Sequence, residues 1–413
     1  MRIAINISRF KQDFDAMSLI GRTAEGGASR LAFSPQEQIA REFVKQKLYE
    51  AGLNPFMDPS GNLHGRRLGV EPGPAVAAGS HSDSVENGGH FDGVVGLLGA
   101  IEVMRSINDA GIQTRRSLEV ISFLSEEPNR FGISCFGSRA LCGKMDRALL
   151  YGRSDIKGET LSAALSSIGV SAQEIIGLNP EEYKYNAFVE LHVEQGRMLY
   201  DSKIPLGLVT EIVGAYRYKV TFKGQADHSG GTPMNSRRDA LAAAAEAILA
   251  VERTCRKYQD KDIVGTVGVI HVSPGAINVI PGECDIIIEV RGSTHFPKST
   301  PVAEIKEAIQ NTARQRKVEV NIETLMEDES RSVSPRVLQA LEQGAAELGY
   351  PCLRMPSRTG HDALHMAELS EVGMIFLPSR EGVGHHPSEW TDMGDIEKGL
   401  QLLATTLVNL AGS

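Results

Sequence analysis

Histidines and carboxylates follow two apolar segments of the chain that have the composition of buried strands. His81 and Asp83 come directly after the run PAVAAGS, Asp92 follows in GGHFDG, and Glu126 and Glu127 come after SLEVISFL. In an open α/β sheet the carboxyl ends of the strands form the edge where ligands bind, so we expect these side chains to meet there. Imidazole and carboxylate ligands without thiolates suit a divalent cation such as Zn, Mn, Co or Ni. The pattern therefore predicts a metal site.

Two further histidines lie where other predicted strands end. His192 is near the end of the run AFVELHV, and His385 follows the run GMIFLPS in the segment VGHHPSEW. A pair of ions a few ångströms apart would share one carboxylate, for which Asp92 is the natural bridge. One ion would then lie between His81, Asp92 and His192, and the other between Asp92, Glu127 and His385. Each ion keeps positions open for water and substrate, as a catalytic site requires.

The two adjacent glutamates are expected to have different roles, because neighbouring strand residues point to opposite sides. If Glu127 is the metal ligand, Glu126 is free to act as the general base that deprotonates water and later protonates a leaving nitrogen. Asp83 is placed to accept the second ring N–H of His81 and to fix its tautomer. Taken singly, each residue is more often a solvated or turn side chain, so the hypothesis depends on their joint order.

The elements that must position these residues alternate between helix and strand up to about residue 212. The segment SPQEQIAREFVKQKLYEAG predicts a helix, with Ser34 as N-cap, Pro35 at the first helical position and Gly52 at its end. VVGLLGAIEVMRSINDAG predicts a second helix, and the apolar runs between and after the helices predict strands. From about residue 327 the chain returns to a helix, the strand GMIFLPS and a final helix, DIEKGLQLLATTLVNLAG. We expect residues 1–212 and 327–413 to form one discontinuous α/β domain.

Residues 213–326 have a different pattern. AYRYKVTFKG predicts a strand, RDALAAAAEAILAVERTCRK a helix, and IVGTVGVIHV and ECDIIIEVRG two strands; TPVAEIKEAIQNTARQRK then predicts a helix and VEVNIETL a strand. This βαββαβ order is that of a ferredoxin-like α+β unit. We interpret the segment as a domain inserted into the α/β domain.

The composition is that of an ordinary globular protein and argues against several kinds of partner. A chain of 413 residues predicts two domains, and its net charge of −9 without a basic cluster argues against nucleic acid. We find no apolar run that fits a signal peptide or a membrane span, which predicts a cytoplasmic protein without a membrane partner. The five cysteines show no CxxC spacing, so we expect reduced thiols, with Cys135 a buried small residue that has no adjacent base.

Seven segments together resemble motifs of the hydantoinase/carbamoylase amidases, which belong to the co-catalytic di-metal peptidases and deacylases. They are GSHSDSVENGGHFDG, SEEPNRFGISCFGSRALCG, ELHVEQG, DHSGGTPMNSRRDALAAAAEAI, PGAINVIPG, GHDALHMA and GMIFLPSREGVGHHPSEW. The resemblance runs from about Arg30 to the C-terminus. It implies a di-metal peptidase-like catalytic domain, the metal ligands named above and Glu126 as base. It also implies that the inserted domain forms a homodimer and lends His228 to stabilise the oxyanion in the other subunit's site.

The resemblance further implies how a substrate is held. Gln195, Asn278 and Arg291 match positions that bind a carboxylate and a ureido group, and the guanidinium fork of Arg291 suits a carboxylate. Gly360 and His361 of TGHDA would line the same pocket, and His361 is equally suited to support a metal ligand from behind.

Three further histidines lie close to these motifs. His386 adjoins His385, and the resemblance in GHHP selects His385 as the ligand. We interpret His64 and His90 as solvated side chains.

The sequence therefore predicts a metal-dependent amidohydrolase that converts N-carbamoyl-L-amino acids to the amino acid, CO2 and NH3. Pro128 in SEEPNRFGISC and Arg358 before the HD pair resemble the ureidoglycolate amidohydrolases, whereas HSGGTPM and INVIPG resemble the carbamoylases. An extra Arg near the pocket would favour a small, doubly anionic or very polar substrate, although an exposed loop Arg is an equal alternative. Hydrolysis of ureidoglycolate or allantoate is the alternative activity, and a peptidase or N-acyl deacylase is more remote. A catalytically silent metal-binding dimer is the alternative from another class; the retained ligands and base favour an enzyme.

Overall fold

The computed structural model describes residues 3–412 and divides them into two compact units. The first unit runs to Thr210 and also comprises Val333–Ser357 and the chain from His361 onward. The second unit comprises Glu211–Ser332 and Arg358–Gly360. The predicted inserted domain, residues 213–326, thus lies within the second unit, which is larger at both ends. No helix among residues 3–412 is both long and apolar enough to cross a membrane.

Fifteen strands and thirteen α-helices form among the described residues. The strands are β1 (Asn54–Met57), β2 (Leu63–Arg67), β3 (Val76–His81), β4 (Leu118–Phe123), β5 (Ala187–Val193), β6 (Leu206–Ile212), β7 (Ala215–Lys223), β8 (Asp227–His228), β9 (Val264–Ser273), β10 (Val279–Ile280), β11 (Glu283–Arg291), β12 (Glu319–Glu327), β13 (Arg331–Ser332), β14 (Cys352–Pro356) and β15 (Val372–Leu377). The helices are α1 (Ile7–Met17), α2 (Pro35–Glu50), α3 (Val94–Asp109), α4 (Phe136–Leu141), α5 (Arg147–Gly152), α6 (Leu161–Ser167), α7 (Ala172–Gly177), α8 (Met198–Ser202), α9 (Ala240–Lys257), α10 (Ser299–Arg316), α11 (Pro335–Leu348), α12 (Asp362–Met366) and α13 (Met393–Ala411).

The sheet of the first unit contains a parallel centre. Its strand order is β1-β2-β4-β3-β5-β15-β6, with β14 also paired to β6. The strands β4, β3, β5 and β15 run parallel, whereas β1, β2 and β6 are antiparallel to their neighbours. In register, His81 pairs with Phe123 and Leu377 with Val193, so the carboxyl ends of neighbouring parallel strands are level. The predicted strands before His81, Glu126, His192 and His385 are therefore those that share one edge.

Helix α3 packs closely on this sheet because two glycines leave room for it. A Cβ at Gly96 would lie 1.9 Å from the carbonyl oxygen of Leu191 in β5, and one at Gly99 would lie 2.5 Å from Leu400 in α13. Every residue of α3 from Val94 to Ile107 is buried. The start of α3 is thereby held against β5, immediately after Asp92 in the chain.

The predicted capping of the first long helix is present in α2. The Ser34 hydroxyl accepts a hydrogen bond from the Glu37 N–H, Pro35 begins the helix, and Gly52 follows it with a φ of +73°. The local signals in the sequence were sufficient here because the helix ends depend on residues that are adjacent in the chain.

The second unit has the predicted βαββαβ order. Its four-stranded sheet is antiparallel with strand order β12-β7-β11-β9, and residues of α9 and α10 pack with it into one apolar core. Two short strands, β8 and β10, pair outside this sheet, with His228 opposite Val279. This ribbon is an addition to the ferredoxin-like pattern that the sequence did not predict.

The four short helices α4 to α7 were also not predicted. They enclose a separate apolar core in the first unit, which includes Phe136, Leu150, Leu165 and Ile175. Each helix has at most seven residues, too few for a helical period to stand out in the sequence.

The interpretation of His64 and His90 as solvated side chains is wrong. His64 in β2 is fully buried, with Nδ1 2.7 Å from Glu119 Oε1 and Nε2 3.0 Å from Asp58 Oδ2. His90 is half-buried and donates through Nε2 to the Gly26 carbonyl at 2.9 Å. The partners of His64 include a carboxylate on a neighbouring strand that is far away in sequence, and a single sequence does not reveal that pairing.

His64 forms the centre of an ionic cluster that ties β2 to β4. Arg66 and Tyr185 also donate to Glu119. The cluster therefore contains two carboxylates, those of Asp58 and Glu119, and two groups that can be cationic, His64 and Arg66. Burial lowers the pKa of His64, but hydrogen bonds to Asp58 and Glu119 outweigh it and raise the pKa to about 9. The imidazolium form therefore stabilises the fold.

Replacing His64 by Gln should make stability less dependent on pH. An unfolded histidine has a pKa of about 6.5, so the stabilisation from His64 is fully present below about pH 6.5 and is lost as the pH rises through the folded pKa of about 9. The wild type should lose on the order of 3 kcal/mol more than H64Q between about pH 6 and about pH 10. Denaturant midpoints at several pH values measure this difference, with H271Q, at an exposed histidine, as the control. Parallel pH curves for wild type and H64Q would contradict it.

Candidate metal centre

Six of the predicted side chains converge at the carboxyl edge of the parallel strands, within the first unit. His81 ends β3, and His192 lies one residue before the end of β5. The chain turns after β4 at Ser125, which has a φ of +55°, and the two glutamates follow. The six side chains are His81, Asp92, Glu126, Glu127, His192 and His385.

The first group of candidate ligands surrounds one oxygen of Asp92. His192 Nε2 lies 3.1 Å and His81 Nε2 3.6 Å from Asp92 Oδ1. One ligand atom from each of these three residues lies within 4.8 Å of the others, and all three side chains are buried. This spacing is suitable for one ion held by two imidazoles and a carboxylate.

The second group surrounds the other oxygen of Asp92. His385 Nε2 lies 3.0 Å from Asp92 Oδ2 and 3.2 Å from Glu127 Oε1. Because each oxygen of Asp92 faces a different group, this carboxylate has the geometry of a bridge between two ions. His386, the neighbour of His385, is exposed and its Nδ1 instead contacts Ser388.

Hydrogen bonds from Nδ1 to backbone carbonyls fix the orientation of two histidine rings, so that Nε2 faces the candidate ligand groups. His192 Nδ1 donates to the Val193 carbonyl at 2.9 Å, and His192 Nε2 accepts from the Gly93 N–H at 3.2 Å. His81 Nδ1 donates to the Asp83 carbonyl at 3.1 Å. Metal-binding histidines typically have this arrangement, in which the second ring nitrogen is fixed by an oxygen acceptor.

The role expected for Asp83 differs in the structure. Its carboxylate Oδ1 lies 3.5 Å from His81 Nδ1, whereas its backbone carbonyl takes the ring proton. The carboxylate accepts the backbone N–H groups of Glu126 and Glu127, both at 3.1 Å. Asp83 thus orients the two glutamates through their backbone. The sequence could not reveal this, because the turn after β4 decides which N–H groups point at the carboxylate.

Gly93 is required beside these rings. It has a φ of +65°, and a Cβ at this position would lie 2.5 Å from His81 Nε2. A side chain at residue 93 would therefore displace the atom that faces Asp92.

The residues fit divalent cations. His81 Nε2 and Glu127 Oε1 are buried and form no hydrogen bond among the described residues, although buried polar atoms are normally paired. Both atoms point at the two candidate groups. Nitrogen and carboxylate donors without thiolates match Zn, Mn, Co or Ni.

Charge also favours cations at this edge. Seven carboxylates are buried in and around it, and the buried guanidinium of Arg30 interacts with three of them, Asp83, Asp92 and Glu389. The carboxylates are Asp83, Asp92, Glu126, Glu127, Glu190, Asp362 and Glu389. Burial opposes the ionisation of Asp92, yet the imidazoles of His192, His385 and His81 beside it hold its pKa well below the ordinary range. The neighbouring carboxylates of Asp92 and Glu127 raise the pKa of His385 to about 11, so protons on imidazole supply positive charge where cations would bind.

Three of these carboxylates were missed by sequence reasoning. Glu190 precedes His192 by two residues, so both point to the same face of β5, and it accepts from the Ser80 hydroxyl and the Ala363 N–H. Asp362 accepts from the Ser138 hydroxyl at 2.6 Å. Glu389 contacts the loop before α3. Period-two spacing along β5 signals Glu190. Asp362 and Glu389 lie outside strands, where no such spacing marks them.

Glu126 lies beside the first group and contacts a thiol. Its Oε2 is 3.7 Å from His81 Nε2, and its Oε1 accepts from Cys135 Sγ at 3.4 Å. Cys135 is buried, as expected, but the prediction that it has no adjacent base is wrong, since the backbone bonds of residues 135–137 to residues 124–126 place the thiol beside the carboxylate. Burial raises the pKa of Glu126 well above its ordinary range, opposed by His81 and increased by Glu127.

Comparison with known proteins identifies the family. A model of peptidase family M20/M25/M40 matches residues 74–409. The chain belongs to this family. Family M20 enzymes typically depend on two metal ions, and the two ligand groups fit that dependence.

Its relatives include amidohydrolases of ureido compounds. The N-carbamoyl-L-amino acid amidohydrolase of Geobacillus stearothermophilus is 38% identical over 393 residues, 95% of this chain and 95% of the relative. The ureidoglycolate hydrolase of Arabidopsis thaliana is 36% identical over 416 residues, 99% of this chain and 87% of the relative. The M20 chain is thus a hydrolase of amide C–N bonds.

Solved structures agree with this assignment. The crystal structure of AtUAH in complex with (S)-hydroxyglycine superposes with a TM-score of 0.92 at 35% identity, covering 99% of each chain. An amidase of the hydantoinase/carbamoylase family from Burkholderia vietnamiensis superposes with a TM-score of 0.91 at 30% identity, covering 100% of this chain and 98% of that one. The resemblance to hydantoinase/carbamoylase amidases and the expected fold class are confirmed.

Gln195 and His361, both predicted to bind substrate, lie against the two candidate ligand groups. Gln195 has a φ of +54° and donates through Nε2 to Asp92 Oδ2 at 2.7 Å. The ring of His361 is buried and packs edge-on against His192 at 4.5 Å between centroids. His361, His192 and Glu190 also form a third group whose ligand atoms lie within 4.8 Å.

The other predicted substrate residues and His228 belong to the second unit. His228 and Asn278 are exposed on the neighbouring strands and loops of the β8–β10 ribbon, where the Ser229 N–H donates to the Asn278 carbonyl. Arg291 ends β11 and pairs with Glu289 through Nε and Nη2. Gly360 is half-buried and lies two residues after the positive-φ residue Arg358.

Proposed function

We propose that this M20 chain binds two divalent ions and hydrolyses the ureido C–N bond of a small carboxylate. The observation that carries the proposal is Asp92, whose two oxygens face two separate ligand groups. His81 and His192 would complete the first group, and Glu127 and His385 the second. Bound ions would polarise the ureido carbonyl and lower the pKa of water.

Glu126 is the proposed general base. It adjoins the first ligand group without being part of either group, and burial raises its pKa, so its ionised carboxylate is a stronger base that can take a proton from water and return it. In the reaction Glu126 removes a proton from the attacking water. It then delivers that proton to the leaving nitrogen as the C–N bond breaks. The products are the amine and carbamate, and carbamate decomposes to CO2 and NH3.

The proposed substrates share one chemical skeleton, a carboxylate whose α-carbon carries a ureido group and one variable substituent, R. An N-carbamoyl-L-amino acid has its side chain as R, ureidoglycolate has a hydroxyl group and allantoate has a second ureido group. The two relatives named above act on compounds of the first two kinds, an N-carbamoyl-L-amino acid and ureidoglycolate. We assign N-carbamoyl-L-amino acids as the first choice of substrate, with ureidoglycolate or allantoate as the second.

A specific observation supports the second choice. Pro128 and Cys135 belong to the segment that resembles ureidoglycolate amidohydrolases, and Cys135 contacts the proposed base directly. This segment therefore contacts the proposed reacting groups through Cys135.

The substrate contacts divide between the carboxylate and the ureido group. Gln195 already contacts Asp92, which places its amide beside the proposed ions and the ureido group. Arg291 uses Nε and Nη2 for Glu289, so a substrate carboxylate would bind its Nη1 edge. Asn278, Gly360 and His361 are proposed as the remaining pocket residues.

His228 is suited to stabilise an oxyanion. Its Nδ1 accepts from the N–H groups of Gly230 and Gly231, at 3.1 and 3.0 Å, so a neutral ring carries its proton on Nε2. The His228 ring is exposed. Met234, which follows β8, and Ile277, which precedes β10, are also exposed, with relative exposures of 77% and 104%. We propose that a second copy of the chain covers this surface and receives the Nε2–H donor in its own site.

The edge strand β9 supports a homodimer. It has ten residues and lies at one end of the order β12-β7-β11-β9, with exposed Val264 and Ile270. Long exposed edges usually pair with another chain or are covered. Pairing of two β9 strands would satisfy both edges in a closed twofold dimer.

Replacing Glu126 by Gln should reduce kcat by about 10²-fold or more, since the amide cannot accept the proton from water. Metal content should stay at the wild-type value, because Glu126 belongs to neither ligand group. Elemental analysis together with steady-state rates on a ureido substrate measures both. E86Q, at an exposed glutamate, is the control. Near-wild-type turnover by E126Q would overturn the mechanism.

A substrate panel should separate the candidate activities. The metal-loaded protein should release ammonia from an α-ureido carboxylate and leave β-ureidopropionate unchanged. The panel comprises several N-carbamoyl-L-amino acids, ureidoglycolate and allantoate, each with Mn, Co, Ni and Zn. The substrate with the highest kcat/KM identifies the substituent R that the site prefers. Absence of hydrolysis throughout, in protein that holds two ions per chain, would favour the catalytically silent dimer.

Mixing two inactive variants should restore activity if His228 acts in the partner's site. E126Q supplies His228 but not the base, and H228A supplies the base but not the donor. Random exchange gives one complete site in each heterodimer, so an equimolar mixture should recover about a quarter of wild-type activity. Activity is measured before and after subunit exchange. Full activity of H228A alone, or no recovery in verified heterodimers, would contradict the shared site.

A further inference from the structure

The loop after β15 carries a buried acidic residue, Glu389, in addition to the proposed ligand His385. Glu389 follows His385 by four residues and is 3% exposed. Its Oε2 accepts the backbone N–H of Phe91 at 2.8 Å and that of Asp92 at 3.1 Å. One carboxylate oxygen thus holds the backbone of the bridging residue from the opposite end of the chain.

The surroundings are shaped for this contact. A Cβ at Gly89 would lie 2.0 Å from Glu389 Oε2, so only glycine leaves room for the carboxylate. The Glu389 N–H donates to the His386 carbonyl at 2.9 Å, which ties it to the turn that holds His385. The rings of Phe91 and Trp390 pack edge-on at 5.5 Å, so a second contact joins the same two segments.

Helix α3 begins without a side-chain cap. Gly93, the N-cap residue of α3, has no side chain to accept the helix N–H groups. The backbone N–H groups of Phe91 and Asp92 both have Glu389 as acceptor. Without Glu389, two buried donors would lack their acceptor and the backbone at Phe91 and Asp92 would lose two hydrogen bonds.

We propose that Glu389 is a positioning residue for the metal centre. It fixes the backbone of Asp92 so that Oδ1 faces the first ligand group and Oδ2 the second, and it links the Asp92 loop to the His385 loop. Glu389 acts through Asp92 and touches neither proposed ion. This inference rests on the proposed function in one respect, the assignment of Asp92 and His385 as ligands.

Metal binding by E389A and E389Q tests the proposal. Chelator-treated full-length protein is titrated with Zn²⁺ alone, and the two dissociation constants are measured by competition with a chromophoric chelator. E389A should weaken the binding of at least one ion about 10- to 100-fold. E389Q retains an amide oxygen that can accept both N–H groups, so it should remain within about threefold of wild type. E381A removes an exposed glutamate from the same loop and should match wild type.

Two additional measurements distinguish positioning from general destabilisation. The d–d absorption spectrum of the Co²⁺-loaded protein should differ between E389A and wild type, because the coordination of Asp92 changes. If E389A does not fold, E389D replaces it, since its shorter side chain cannot reach both N–H groups. At saturating metal the KM of E389Q should be unchanged and its kcat should stay close to wild type.

The possible outcomes separate this inference from the proposed function. Wild-type protein that binds two ions, together with E389A or E389D that binds both with wild-type affinity, overturns the role of Glu389 and leaves the proposed function intact. A loss in E389Q as large as that in E389A also overturns it, because the charge rather than the two hydrogen bonds would then matter. Wild-type protein that binds no Zn²⁺ overturns both the ligand assignment and the inference. Weaker binding in E389A with retention in E389Q supports it, whether or not any ureido substrate is hydrolysed.

Discussion

The concentration of buried carboxylates at one edge of the sheet is the constraint on which the rest of the first unit depends. Asp92, Glu126 and Glu127 lie together with further acidic side chains where little water reaches them, and like charges at such distances repel strongly at low dielectric. The fold offsets this repulsion through imidazoles that can be protonated or can bind cations. Stability and chemistry therefore have the same origin at this edge.

The surrounding structure supports this acidic edge through backbone groups. Asp83 accepts the N–H groups of the two glutamates, and Glu389 accepts those of Phe91 and Asp92. In each case a carboxylate outside the two ligand groups fixes the chain that carries a carboxylate inside them. The carboxylates of Asp83 and Glu389 thus hold the backbone behind the carboxylates of the ligand groups. Hydrogen bonds from backbone N–H groups lower the free-energy cost of burying a carboxylate.

The sequence predicted what depends on neighbours along the chain. Apolar runs located the strands before His81, His192 and His385, and parallel pairing then brought their ends together. It failed where the decisive contact lies across the fold. His64 resembles any polar residue after a leucine until β4 places Glu119 beside it, and Cys135 resembles a small core residue until the turn at residues 124–126 places Glu126 beside its thiol. Asp83 was assigned to the correct neighbourhood but to the wrong partner, because turn geometry, which the spacing of residues does not encode, directs its oxygens.

The distribution of the ligand groups along the chain has a consequence for biosynthesis. The first group is complete once β5 has joined β3, whereas the second requires β15 and the loop that follows it. A chain that ends before β15 would have an acidic edge with only the first of the two candidate ligand groups complete. Cations that bind the native state selectively stabilise it, and cations at both proposed sites would do so in full only for the chain that extends beyond β15. Metal loading at both proposed sites would thus make the stability of the first part of the chain depend on the part that is synthesised last.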